Sequence, residues 1–188
     1  MVKDSIKDIQ KKIGATPDGE FGPKSQAACE TYLKSLMPNP HPWPSPDDSS
    51  MKNFFGNAGQ ESNLELVDVT GLGMKYEGNT VNRIRCHKKV ASSLKSVLQE
   101  ISASPFAYVL GEYAGVYNFR PMRGGSRYSK HAWGVAIDLD PNKNSLHQNW
   151  PESASMPFGV IEIFAKHGWL SAGAFWNRDA MHFEATKS

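Results

Sequence analysis

Only two cysteines, Cys29 and Cys86, occur among the 188 residues, and they stand 57 positions apart. That spacing gives neither a CxxC pair nor the disulfide framework of a small secreted domain, so two buried free thiols are expected. No run of 18 apolar residues is present, which excludes a helical membrane span. Charge of one sign is not in excess either. Lys and Arg number 21 against 19 Asp and Glu, a formal net charge of +2, too weak a bias to argue for nucleic acid as a partner. The opening stretch MVKDSIKDIQKKIG is charged and lacks the apolar centre of a secretory signal. The chain is therefore expected to stay in the cytosol that makes it unless something else releases it.

What is present is an ordinary globular composition, 39% hydrophobic and 21% charged, so a packed core is expected. Residues 1–37 read as a short helical unit. Ile6, Ile9 and Ile13 recur at helical spacing between Ser5 as N-cap and Gly14 as stop. Asp18-Gly19 marks a turn, and Gly22-Pro23 opens a second helix carrying Ala27, Ala28, Tyr32 and Leu36 as its apolar stripe. Residues 38–50 hold five prolines without periodicity and read as an extended, semi-rigid linker. Residues 51–188 read as one α+β domain, with a small antiparallel sheet and flanking helices. Its strands are expected at 81–86, 107–110, 135–139 and 181–184. Helices are expected over 87–102, with Val90, Leu94, Val97, Leu98 and Ile101 on one face, and from Pro157 to Gly168.

Metal-competent side chains sit on these short elements. His131 lies seven residues before Asp138 in SKHAWGVAIDLD, and His182 lies downstream in RDAMHFE, three residues after Asp179. Two neutral imidazoles and one carboxylate make a catalytic zinc set that leaves the fourth tetrahedral position to water. A carboxylate that is not a ligand must then move the water's proton to the leaving amine. Asp179 does this if the turn before His182 aims it at the metal. Gly134 is expected to turn the chain so that His131 and Asp138 meet. From Tyr113 to Ile137 there is no acidic residue, whereas Arg120, Arg123, Arg127 and Lys130 are present. Such a rim suits a substrate rich in carboxylates, and Arg120 is the first choice for clamping the oxyanion. His41, His87, His147 and His167 show no ligand spacing and read as structural or surface residues. Trp169 and Trp176 read as core or cleft wall.

SKHAWGVAIDLD together with DAMHFE resembles the M15 family of zinc peptidases, the VanY or D-alanyl-D-alanine carboxypeptidase family. FFGNAG, VNRIRCHKKVASSLKSVLQEI and KHGWLSAGAFWNRDAMHFE fit the branch of L-alanyl-D-glutamate endopeptidases used as phage endolysins. The resemblance covers nearly all of 51–188. It implies one zinc ion per chain held by His131, Asp138 and His182, with Asp179 as base and Arg120 at the carbonyl. It also implies that Ser129 supports the ligand region or the substrate. Arg123, Arg127 and Trp176 are the further candidates for substrate contact. IQKKIGATPDGEFGPKSQAACETYL resembles the peptidoglycan-binding type 1 domain, with Ser25 where that family has Thr. This copy is short for such a domain.

The expected function is hydrolysis of a stem-peptide amide bond in peptidoglycan, at L-Ala–D-Glu, by a monomer. The enzyme would be made in the host cytoplasm and act on the wall in the periplasm after release, with no nucleic-acid partner and no membrane insertion. The nearest alternative is a D-alanyl-D-alanine carboxypeptidase. A non-catalytic zinc-containing wall-binding module is a second, and a serine hydrolase built on Ser129 and His131 a third.

Overall fold

A computed structural model describes residues 5–122 and 124–188; Arg123 lies outside the described residues. The N-terminal helices are α1 (Ile6–Lys12) and α2 (Pro23–Leu36). Ser5 stands at the N-cap of α1, and Gly14 follows it at φ +75°, a backbone conformation that favours glycine. Pro23 starts α2 where its missing N–H costs nothing. The buried stripe of α2 is rotated from the expected one. Ser25, Cys29 and Leu33 are buried, Ala28, Tyr32 and Leu36 are half-buried, and Ala27 is exposed. The rotation follows from the packing of α2 on two later helices, α5 and α6, described below.

The turn between α1 and α2 is held by Gln10, which is fully buried. Its Nε2 donates to Asp18 Oδ1 at 2.7 Å and Ser25 Oγ at 3.0 Å, and its Oε1 accepts from Gly19 N at 2.9 Å. Phe21 meets Trp150 edge-on at 5.6 Å. The proline-rich stretch lies on the body of the protein. Trp43 is buried beside Trp169, with ring centroids 6.1 Å apart, and its Nε1 donates to His167 O at 3.3 Å. Asp47 accepts from Ser50 N at 2.9 Å and caps α3 (Asp48–Phe55), so residues 48–50 are helical rather than part of the spacer.

Strand β1 (Leu64–Asp68) pairs antiparallel with β4 (Arg83–His87), and β2 (Lys75–Tyr76) with β3 (Asn79–Thr80). Helix α4 (Ala91–Ser102) buries Leu94, Val97, Leu98 and Ile101 as expected, but it begins four residues later than the sequence pattern implied. His87 ends β4, because pairing with Leu64 takes that residue into the sheet. Ala107–Leu110, expected as a strand, belongs to a 3-10 helix spanning Ala107–Glu112. A short apolar run has no periodicity that separates the two.

A four-stranded antiparallel sheet then forms from β5 (Tyr113–Gly115), β6 (Ala136–Leu139), β7 (Leu170–Ser171) and β8 (His182–Glu184), in the order β5-β6-β8-β7. Helix α5 (Phe158–Lys166) covers it, and α6 (Ala172–Trp176) connects β7 to the turn before β8. Phe183 on β8 stacks on Phe164 of α5 at 3.8 Å and 12°. Glu162 of α5 is buried, yet it accepts from Lys12 Nζ and Tyr32 Oη at 2.7 Å each. One hydrophobic cluster runs from Ile9 and Leu33 through Trp43 to Phe183. Among the described residues no helix is long and apolar enough to cross a membrane.

Because Leu33 is fully buried in that shared cluster, Leu33→Ala is expected to cost about 2–5 kcal/mol of stability for the whole chain. Denaturant unfolding followed by tryptophan fluorescence checks this. A single transition moved to lower denaturant is expected, and an unmoved transition would show that the N-terminal helices stand apart.

Candidate active site

The loop before β6 sets the first ligand. Lys130–Trp133 form a short 3-10 helix, and Ser129 caps it by accepting from His131 N at 3.4 Å. Gly134 closes it at φ +69°. A Cβ at Gly134 would lie 2.9 Å from Leu64 Cδ2 and 3.0 Å from His87 N, so both the backbone angle and the space require glycine. The turn expected there is present, and it brings His131 back over β6. The register of the sheet does the rest. Asp138 lies directly opposite His182, and Ala136 opposite Glu184. Directly opposed residues on one face have neighbouring side chains.

These three side chains converge. His131 Nε2 lies 3.2 Å from His182 Nδ1 and 3.2 Å from Asp138 Oδ1, and His182 Nδ1 lies 2.9 Å from the same oxygen. Zinc–nitrogen bonds of about 2.0–2.1 Å at tetrahedral angles would separate ligand atoms by about 3.3–3.4 Å. The triangle therefore fits one face of a zinc coordination shell, its shortest side drawn in by a charge-assisted hydrogen bond. The other nitrogen of each ring is already committed. His131 Nδ1 lies 2.7 Å from Val116 O, and His182 Nε2 lies 3.1 Å from Glu184 Oε2. Each of these nitrogens donates outward, leaving the inward nitrogen to present a lone pair to a cation. Glu184 also accepts from Thr186 Oγ1 at 2.6 Å. His131, Asp138 and His182 are thus the group that could hold a metal ion.

The electrostatics suit a cation. Burial resists ionisation of Asp138, but hydrogen bonds from His131 and His182 hold its pKa well below the usual carboxylate value. Burial likewise opposes the charged form of His182, and hydrogen bonds to Asp138 and Glu184 overcome it, raising its pKa to about 10. Burial opposes ionisation of Glu184 too, and the His182 contact keeps it ionised.

Asp179 stands in the same cleft, of about 710 Å³, as the ligand cluster. Asn177 and Asp179 both adopt left-handed backbone, at φ +52° and +56°, in the turn after α6. Asp179 O accepts from His182 N at 2.9 Å. Its Oδ1 is buried without a hydrogen-bond partner, and burial raises its pKa. A buried polar atom left unpaired is costly, and here it borders the substrate space. Arg120 lines the cleft as well. Its Nη1 donates to Pro121 O at 3.2 Å, and it forms no ion pair among the described residues.

Ser129, Arg127 and Trp176 also line the cleft, Ser129 buried and the other two exposed. Arg123 is outside the described residues. The Ser129 hydroxyl meets the backbone of His131 rather than an imidazole nitrogen, which leaves a serine nucleophile without its base. Glu184 lies outside the candidates drawn from the sequence, and its place two positions after His182 on the same strand face is the signal that marks it. Arg178, Asp47 and Asp48 line the cleft too. Asp47 and Asp48 arrive from a distant segment that no local pattern marked, whereas Arg178 is the chain neighbour of Asp179. The remaining histidines serve elsewhere. His87 Nε2 meets Phe55 O at 2.8 Å, and His167 pairs with Glu100 at 3.3 Å. Cys29 and Cys86 are free and buried, their thiol pKa values pushed by burial to about 12.

Residues 123–185, about a third of the chain, match the profile of peptidase family M15 described as D-alanyl-D-alanine carboxypeptidase. No curated protein and no solved structure matches the chain. The matched segment contains His131, Asp138, Asp179 and His182. It supports the M15 family, hence a metallopeptidase, and the donor set just described suits the zinc on which that chemistry depends. Arg120 lies just before the matched segment.

Zinc titration followed by calorimetry should show binding lost in His131→Ala, Asp138→Ala and His182→Ala. Glu184→Gln should weaken binding by about 10–100-fold while leaving all three ligands in place. The raised pKa of His182 makes zinc compete with a proton for its Nδ1. Affinity should therefore rise by about tenfold per pH unit between about pH 6 and 8. A pH-independent affinity would contradict the assignment of His182 Nδ1 as a ligand.

Proposed function

We propose that the protein is a zinc peptidase of peptidoglycan stem peptides, cutting L-Ala–D-Glu in the manner of an endolysin. The observation that carries this reading is the unpartnered, buried Asp179 Oδ1 in the cleft that holds the His131–Asp138–His182 cluster. A purely structural metal site has no need of such a group. Zinc in this cluster supplies Lewis-acid polarisation of the scissile carbonyl and makes a water acidic enough to ionise near neutral pH.

The chain's own residues supply the remainder. Asp179 Oδ1 takes the proton of the attacking water, its raised pKa bringing it nearer the working pH, and returns it to the nitrogen of the leaving amine. Arg120, without a carboxylate partner among the described residues, offers its guanidinium to the oxygen on which negative charge develops. Glu184 and Val116 O hold the two imidazoles in the orientation that the cluster needs. Arg127 and Arg178 on the rim suit the carboxylates of D-glutamate and diaminopimelate. The partner is bacterial peptidoglycan, met by a monomer that is made in the cytoplasm and acts beyond the inner membrane after release. Contact of the N-terminal helices with the wall would use their exposed face, since Asp18, Phe21 and Ser25 are engaged internally.

A second reading, a D-alanyl-D-alanine carboxypeptidase, is favoured by the description of the matching family. The chemistry is the same and the bond differs. Asp179→Ala is expected to retain zinc and lose turnover on the order of 10²-fold or more. Arg120→Ala should lose about 10²–10³-fold, mainly in kcat. Near-full activity of Asp179→Ala would remove it from the mechanism. Mass spectrometry of fragments released from purified sacculi identifies the bond. New N-terminal D-glutamate, abolished by chelator, is expected, and release of D-alanine alone would select the second reading.

A further inference from the structure

Two large aromatic side chains stand exposed and stacked on each other, and one of them, Tyr128, lines the cleft. Phe119 is 53% exposed and Tyr128 41%. Their rings stack at 5.2 Å and 24°. The stack is braced from beneath and from the side. The Phe119 ring lies over Gly59, where a Cβ would come within 2.6 Å of it, and Gly59 N donates to Ala132 O at 2.8 Å. Tyr128 meets the buried Trp133 edge-on at 6.1 Å and 90°. Its backbone is fixed by the bridge to Pro121 and by Ser129 N donating to Arg120 O at 3.2 Å. Tyr128 lines the cleft together with His131 and Asp179. A rigid, ordered aromatic face beside a reacting site binds flat ligands at little entropic cost.

A stem peptide offers such a face very little. Its residues are alanine, glutamate and a diamino acid, none with a large apolar side chain. The sugar to which the stem is attached does offer one, because a pyranose ring presents a face of C–H bonds with its hydroxyls at the edges. We infer that Tyr128, backed by Phe119, is a stacking subsite for an N-acetylhexosamine ring of the glycan strand. This inference rests on the reading of the cleft as that of a stem-peptide peptidase, and it names the part of the substrate that lies outside the peptide.

Spacing favours a bond beside the glycan. Tyr128 and His131 are three residues apart, so their Cα atoms lie within about 11 Å. The first peptide bond of an extended stem lies about two residue lengths, ~7 Å, from its sugar. The last bond of a pentapeptide stem lies about five lengths, ~17 Å, away. A ring on Tyr128 therefore suits cleavage next to the glycan better than cleavage at the far end of an extended stem.

The test uses the zinc-loaded full chain, the disaccharide-bearing stem peptide and the same peptide freed of its sugar. The wild type is expected to prefer the sugar-bearing substrate by about tenfold in kcat/KM, equivalent to ~1.4 kcal/mol. Tyr128→Ala should erase that preference, and Tyr128→Phe, which keeps the ring, should retain it. Equal use of both substrates by the wild type would overturn the subsite while leaving the peptidase reading intact. Cleavage of neither substrate would overturn the peptidase reading. Titration with N-acetylglucosamine trimer, followed by tryptophan fluorescence, then decides the subsite separately. Saturable binding lost in Tyr128→Ala supports it, and no binding overturns it.

Discussion

The pairing of β6 with β8 is the constraint on which the site depends. Asp138 and His182 are 44 residues apart in sequence and become neighbours because Ile137 pairs with Phe183 one position away. Phe183 in turn is locked against Phe164 of α5. A slip of one residue would send Asp138 and His182 to opposite faces and push Phe183 out of the core. The energy that fixes the register is thus hydrophobic and lies on one face of the sheet, while the chemistry lies on the other. The metal cluster inherits its geometry from the packing beneath it.

Around that cluster the ionisable groups are sorted by environment. Asp138 is half-buried and Glu184 buried, but both face His182, and each is held ionised by it. Asp179 is half-buried with its Oδ1 facing no donor among the described residues, and its pKa moves the other way. Carboxylates pushed apart in this manner within one cleft take different roles, ligand and ligand support on one side and proton carrier on the other. The arginines stay outside, on the rim, where water screens their repulsion from a cation and where an anionic substrate would meet them.

The N-terminal segment shows how a recognisable motif can be absorbed by the fold. Asp18, Gly19 and Ser25 surround the buried Gln10 amide, and Phe21 packs on Trp150. Trp43 of the proline-rich stretch fills a place beside Trp169. These contacts join residues 5–47 to the same core that supports α5 and α6, and α6 leads directly into the turn that carries Asp179.

The sequence by itself determined the elements with a clear period or a distinctive residue. The Leu94–Ile101 face of α4, Pro23 at the head of α2, the Gly134 turn and the alternation around Asp138 could all be read from it. The three candidate ligands were marked by the resemblance of their two segments to the M15 motif rather than by spacing alone. The sequence did not determine the 3-10 helix at Ala107–Glu112 or the late start of α4, because consecutive apolar residues and strand ends carry no period of their own. Glu184 as the partner of His182, the unpaired Asp179 oxygen and the Tyr128 stack were decided by tertiary structure alone. Each is a relation between atoms of distant segments, set by strand register and by the packing of side chains that no local pattern encodes.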